Sequence, residues 1–353
     1  MIGPSVSVVM PVWNGEQFLA EAVESILNQS LRDLELVVVD DGSTDSSPAL
    51  LADIAARDKR VRVITQPNGG IVAALNVGCS VAFGRFIARL DCDDVSHPER
   101  LRKQADFLES HQSVGLLGTA ATYPGANGLR STPAEGRGDH DSVVSRLLLG
   151  DNPFVHSSIM MRTAVFSRSG GYRLAALDAE DLDLWLRMAE ISQLAILEEP
   201  LVDYRWHGNQ VSVRKIRQQA VSTLAAVRAA QIRRSGGTDP LETSGPATVD
   251  LLENIGVSRI EYEQRLFRSA CNQARELNSL GSADAAGQMV DTAVSLLPRV
   301  NAATSERSRL LWEHARRHYH AQNYWVAAKS AIRASLLEPW LPFQAVHRRV
   351  RGA

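Results

Sequence analysis

The sequence predicts an α/β protein: a parallel sheet flanked by helices, followed by a smaller all-α region. Three observations predict it. Short apolar runs rich in β-branched residues alternate with stretches whose apolar positions recur every three or four residues. Each of those runs ends in turn-forming and polar residues, where ligands of open α/β sheets bind. From Ile216 the texture changes to an alanine-rich and Arg-rich helical pattern. At 353 residues the chain exceeds what one hydrophobic core usually supports, so two unequal parts are expected.

Composition narrows the class. Hydrophobic residues make up 44% and charged ones 22%, with no low-complexity tract, which excludes a mainly disordered chain. Cys79, Cys92 and Cys271 have no metal-ligand spacing and cannot all pair, which suits a reducing compartment. Without a basic, apolar-cored leader or a bilayer-length apolar run, a cytoplasmic protein is expected. Residues 1–215 carry 20 Lys and Arg against 28 Asp and Glu, net −8, whereas residues 216–353 carry 18 against 12, net +6. An acidic front half argues against a nucleic-acid surface and suits a site that holds phosphates through a cation.

Val6 to Val12 reads as a strand buried on both faces, and Asn14-Gly15 turns the chain. Glu16 to Ser30 follows as an amphipathic helix, with Phe18, Leu19, Ala22, Val23, Ile26 and Leu27 on one face. A second strand, Leu34 to Val39, runs into DDGSTD. There Asp41 can accept from a base N–H such as that of uracil, and Asn14 can reach a ribose or phosphate. The same segment also reads as a loop feeding a helix N-cap. No G-x-G-x-x-G follows the first strand and no G-x-x-x-x-G-K-[ST] occurs anywhere, which ranks dinucleotide dehydrogenases and P-loop NTPases low.

The third strand, Val61 to Thr65, leads to the turn Gln66 to Gly70 and a small-residued helix, Ile71 to Phe83, able to pack closely. The fourth, Arg85 to Leu90, delivers the chain into Asp91, Asp93 and Asp94. Crowded carboxylates repel one another unless a cation or donors sit between them, and hard oxygen ligands suit magnesium or manganese. The alternative is an acidic loop capping a helix at Pro98.

PVWNGEQFLAEAVESILNQ, LELVVVDDGSTD, NGGIVAALNVG and GRFIARLDCDDVSHPERL, in this order and spacing, resemble the family 2 glycosyltransferases with the GT-A fold. The resemblance covers roughly residues 5–213. It implies a mixed, mostly parallel sheet flanked by helices, a nucleotide-sugar donor, a divalent metal (Mn2+ or Mg2+) on the D-x-D, and inversion at the anomeric carbon. On it, Pro11, Asn14, Asp41, Asn68 and Asp91 contact the donor, while Asp93 and Asp94 hold the metal. Cys92, a poor magnesium ligand, is expected to point into the fold.

After a Gly-rich stretch, Asn152 to Arg162 resembles the family's acceptor-side loop and strand. Next, Glu180-Asp181 precedes Leu184, Trp185 and Met188 at helical spacing. A helix N-terminus favours negative charge, so capping is one reading of the pair. By resemblance Asp181 is the catalytic base that takes the acceptor proton, with Glu180 supporting it or touching the acceptor. In the segment from Tyr204 to Ser212 the resemblance makes His207 a third metal or diphosphate contact.

The expected divisions are a catalytic domain over 1–215, a helix and linker over 216–246, and an α-helical, weakly tetratricopeptide-like region over 247–353. In the last, an offset of 41 matches Ala274 with Ala315, Ala286 with Ala327, Ala293 with Ala334 and Pro298 with Pro339. These helices read as a pair packed on the catalytic domain, or as a surface for self-association or a partner. Trp340, Leu341, Phe343 and HRRVRG offer peripheral contact with an anionic membrane at its inner face, where a lipid-linked acceptor would lie. The function expected is metal-dependent inverting transfer from a nucleotide-sugar, with UDP favoured, to a glycan or lipid-linked acceptor. A nucleotidyltransferase acting on sugar phosphates and an inactive interaction protein are the alternatives.

Overall fold

The computed structural model describes residues 3–123, 130–131, 138–205, 215–242, 244–279, 281–321 and 323–337. The chain divides into two units, residues 1–207 with 222–248 and residues 208–221 with 249–353. Among the described residues no helix is long and apolar enough to cross a membrane.

The first unit is built on a mixed sheet. Its strands are β1 (Val6–Val12), β2 (Leu34–Asp40), β3 (Val61–Thr65), β4 (Phe86–Arg89), β5 (Val95–Ser96), β6 (Val114–Tyr123), β7 (Arg130–Ser131), β8 (Met160–Arg162) and β9 (Gln193–Asp203), in the order β3-β2-β1-β4-β8-β6-β9-β5 with β7 on β6. β1 pairs in parallel with β2 and β4, and β2 with β3; β8 is antiparallel to both β4 and β6. Every residue of β1 and β2 is buried, as their almost unbroken apolar character requires.

Crossover helices cover the sheet: α1 (Leu19–Leu27), α2 (Ser47–Arg57), α3 (Ile71–Ser80), α4 (Arg100–Ser110), α5 (His140–Leu148), α6 (Thr163–Arg168) and α7 (Glu180–Ala189). α1 sends Leu19, Ala22, Val23 and Ile26 into the core that β1 and β4 share. α3 lies close on the sheet because of Gly78, where a Cβ would stand 2.5 Å from Val9 Cγ1. A second core gathers Leu75, Leu147, Phe154, Tyr172 and the fully buried Trp185.

The helix α8 (Ile216–Arg234) joins that second core from Ser222 onward, through Ala226 and Ala230. The segment after it is tied down by Asp239, which accepts from Arg173 at 2.7 Å and Arg233 at 2.8 Å. The second unit holds α9 (Val249–Asn254), α10 (Arg259–Ser279), α11 (Ala283–Leu296), α12 (Thr304–His320) and α13 (Tyr324–Leu337). α10 packs on α11 and α12 on α13, and all six alanines related by the 41-residue offset are buried. Pro339 and the proposed membrane-contacting tail lie outside the described residues.

Candidate active site

The sheet order reverses beside β1: the chain runs outward to β2 and β3, then returns to β4 on the other flank. Such a switch point opens a crevice at the carboxyl ends of the strands. The turn after β1 and the acidic run after β4 meet there. A Cβ on Gly15 would stand 2.9 Å from Cys92 Sγ, so the thiol points into the fold against this turn. Burial, then repulsion from Asp93 and Asp91, pushes its pKa up and makes it inert.

Asp91, Asp93 and Asp94 each offer a carboxylate oxygen within 4.8 Å of the others. None of them caps α4, whose N-cap residue is Glu99 with no side-chain cap bond. Asp91 forms a two-pronged ion pair with Arg89, the last residue of β4, whose guanidinium is buried. Ser157 Oγ accepts from the Asp91 N–H at 3.1 Å and lies 3.2 Å from Asp91 Oδ2; it also donates to Asp94 Oδ2. The Arg205 N–H donates to Asp94 Oδ1 at 2.9 Å. Arg100, fully buried, donates to the Ser157 and Arg89 carbonyls at 2.6 and 2.8 Å, fixing the floor of the cluster.

The electrostatics follow from this crowding. Burial, then repulsion from Asp91 and Asp93, pushes the Asp94 carboxyl up to about 8. Asp91 is raised by burial, though its side chain keeps 31% exposure and Arg89 pulls the other way. A hard divalent cation would relieve this repulsion, and an all-oxygen donor set of this kind fits Mg2+ or Mn2+.

At the ends of β2 and β3, Asp41 is buried and holds the next loop together. Its Oδ1 accepts from Gln66 Nε2 at 2.6 Å and the Gly69 N–H at 2.8 Å, and its Oδ2 from the Gly70 N–H at 2.8 Å. Asn14 takes a left-handed φ of 53° and accepts the Thr44 N–H at 2.8 Å, tying the turn after β1 to the DDGSTD loop. Asn14 and Asn68 are exposed, whereas Pro11 is buried inside β1 opposite Val39.

The other acidic pair opens α7. The helix has Ala179 at its N-cap with no side-chain cap bond, so neither carboxylate serves as the cap. Asp181 Oδ2 accepts from Asn152 Nδ2 at 2.7 Å and its Oδ1 from the Leu182 N–H at 2.6 Å. Burial, then the charge of Asp181, pushes Glu180 up to about 8, and its Oε2 is buried with no hydrogen-bond partner. Asp181 is raised chiefly by burial, against the pull of the Leu182 N–H, Arg89 and Asn152. Asp183, two residues on, is structural: fully buried, it pairs with Arg173 and Arg187 and anchors the helix. Behind the pair, His156 Nε2 lies 2.9 Å from the Tyr172 hydroxyl, and both rings pack on Trp185.

Arg89 connects the two acidic groups, since its charge acts on Asp91 and Asp94 and also on Glu180 and Asp181. Sequence reading gave roles to the carboxylates but none to Arg89, and took Asn152 and Ser157 only as part of the segment that resembles an acceptor-side loop, not as the side chains that hold the acids. The available signal was Arg89 itself, a charge inside an otherwise apolar strand. His207 lies outside the described residues.

A family model described as Glycosyl transferase family 2 matches residues 7–169. EpsE of Bacillus subtilis (strain 168), whose name gives it provisionally as a glycosyltransferase, is 39% identical over 198 residues, 53% of this chain and 68% of that protein. Among solved structures, S. aureus TarS 1-349 in complex with UDP-GlcNAc superimposes with a TM-score of 0.53 at 17% identity, covering 92% of this chain and 90% of that one. Mannosyltransferase PcManGT from Pyrobaculum calidifontis, in complex with GDP-Man and Mn2+, gives 0.52 at 17% identity, covering 96% and 88%. At these identities the structural likeness shows the GT-A fold alone.

Proposed function

The chain belongs to glycosyl transferase family 2, and from that membership we propose a metal-dependent, inverting transfer of a sugar from a UDP-sugar to a hydroxyl of a glycan or lipid-linked acceptor. The observation that carries the reading is the pair of acidic groups: the Asp91, Asp93 and Asp94 cluster after β4 and, opening α7, Asp181 held by Asn152 beside the buried Glu180. One group is suited to a donor's diphosphate through a cation, the other to a proton.

Asp93 and Asp94 would hold the divalent ion, with His207 as a further ligand; Asp91, already paired with Arg89, is left to the donor's ribose. When bound, the ion would neutralise the diphosphate as charge builds on the leaving oxygen. Nucleotides on the solved neighbours support a nucleotide-sugar donor but differ in base, UDP on TarS and GDP on PcManGT. UDP rests on Asp41. A carboxylate has about four acceptor positions, and the loop uses three of them, which leaves one for the imide N–H of uracil. Asn14 and Asn68 flank the same strand ends, and buried Pro11 shapes the floor beneath them.

Asp181 acts as the base. Two adjacent carboxylates, one buried and one half-buried, do not readily ionise together, and Glu180, pushed up to about 8, keeps the proton. That leaves Asp181 ionised, turned by Asn152, to take the acceptor hydroxyl's proton as its oxygen attacks opposite the leaving diphosphate. A single displacement of this kind inverts the anomeric carbon. The test is a donor panel scored by release of free nucleoside diphosphate, with and without manganese, on the wild-type chain and Asp181→Asn. Manganese-dependent release from a UDP-sugar that the variant lacks is the expected result; near-normal turnover by the variant would overturn the assignment.

A further inference from the structure

Far along the sequence from the acidic cluster, the second unit holds another group of potential metal ligands with different chemistry. Asp291 lies on α11, and His314 and His318 lie one turn apart on α12. One donor atom from each falls within 4.8 Å of the others. His314 Nε2 stands 3.5 Å from Asp291 Oδ1, and His318 Nε2 stands 3.6 Å from the same oxygen. Both separations exceed the roughly 3.2 Å limit of a good N–H···O bond. Around a four-coordinate ion with bonds of about 2.0–2.1 Å, neighbouring ligand atoms stand about 3.3–3.4 Å apart, so the two rings need close by only about 0.1–0.3 Å.

The surroundings are those of a ligand set. Asp291 Oδ1 is buried and makes no hydrogen bond, while Arg317 takes Oδ2 and fixes the carboxylate so that Oδ1 faces the two rings. His314 Nδ1 lies 2.9 Å from Ser330 Oγ on α13, which holds the ring with its Nε2 towards Asp291 and can accept from Nδ1–H in the tautomer a metal needs.

We propose that Asp291, His314 and His318 bind a zinc-type transition ion, with a solvent molecule completing a four-coordinate site. The i, i+4 histidines and single carboxylate oxygen suit Zn2+ over Mg2+, which requires six hard oxygens. The ion would join α11 of the first hairpin to α12 of the second. Two helical hairpins are fewer than a free-standing repeat array needs, and an ion across their seam would supply stability by linkage. The inference stands apart from the glycosyl-transfer reading, and either can fail without the other.

The full chain, stripped by chelator, is titrated with Co2+ and followed by its visible absorption. One equivalent should give the intense bands of four-coordinate cobalt, displaced by Zn2+ and indifferent to excess Mg2+. His318→Gln should abolish the bands, Ser330→Ala should weaken binding about tenfold, and Asp93→Asn should leave it unchanged. Absence of the bands in the wild-type chain overturns the proposal, as does their persistence in His318→Gln or their loss in Asp93→Asn.

Discussion

The carboxylates after β4 and those opening α7 are the same chemical groups in contrasting settings. Asp91 has the Arg89 guanidinium, and Asp94 has the Ser157 hydroxyl and the Arg205 N–H, yet three acids remain crowded together. A hard cation is the natural relief. On α7, neither Glu180 nor Asp181 makes an ion pair among the described residues, and Asn152 is the one side chain bonded to Asp181 there. On the proposed reading the relief there is a proton, which Glu180, pushed up to about 8, would hold. On that reading neighbours decide whether an acid holds a metal or a proton, and the charge of Arg89 acts on both groups.

The largest test of this contrast removes the base. Asp181→Asn should lower kcat by about 10²–10⁴-fold, the typical contribution of a positioned general base, while donor binding measured by calorimetry survives. If donor binding fell instead, the two groups would be one site and the contrast would break. Asp93→Asn comes next. The wild-type chain should lose turnover in chelator and regain it with Mn2+, whereas the variant should need far more Mn2+, read from activity against metal concentration, with α7 chemistry intact.

Glu180→Gln should do less, because the amide replaces a side chain already neutral at pH 7. Transfer should stay within a few-fold, and the titration near pH 8 should vanish from the profile of kcat/KM. Stability carries the same signature. Glu180 in the folded chain is raised from 4.5 to about 8, so its contribution is full below about pH 4.5 and is lost as pH rises through 8. The wild-type Tm should therefore fall across that window, measured in chelator, and the Gln variant should lack this part of the fall.

How much was legible in the sequence depended on how local the determining contacts are. β1 and β3 were read to the residue, since apolar runs bounded by turn residues define their own ends. The first helix was read as Glu16 to Ser30 but spans Leu19–Leu27, because Phe18 and Leu19 both donate to the Gly15 carbonyl and its opening forms a turn. β6 and β9 went unread: glycine and alanine dilute the first, while Pro200 and register shifts interrupt the second. The 41-residue repeat was legible because small residues at helix contacts leave a period, and burial of all six alanines follows it. In the site, carboxylates announce themselves, but their supports do not. Ser157 reaches Asp91 across 66 residues, and Asn152 reaches Asp181 across 29, so only folding makes them neighbours.

Those supports give the smallest and most selective test. The Asn152 amide bonds the ionised form of Asp181 and holds its pKa below what burial alone would impose. Asn152→Ala removes that donor, so Asp181 should keep its proton to higher pH. Sign follows directly: a base that must be ionised loses activity on the acid side, and the acid limb of kcat/KM should move to higher pH. Well above that limb Asp181 is ionised in both proteins, and rates should converge. The Mn2+ requirement should stay unchanged, because Asn152 touches no carboxylate of the β4 cluster among the described contacts. A uniform loss at every pH, or an altered Mn2+ requirement, would mean that Asn152 positions the donor and that the two acidic groups are not separable through their neighbours.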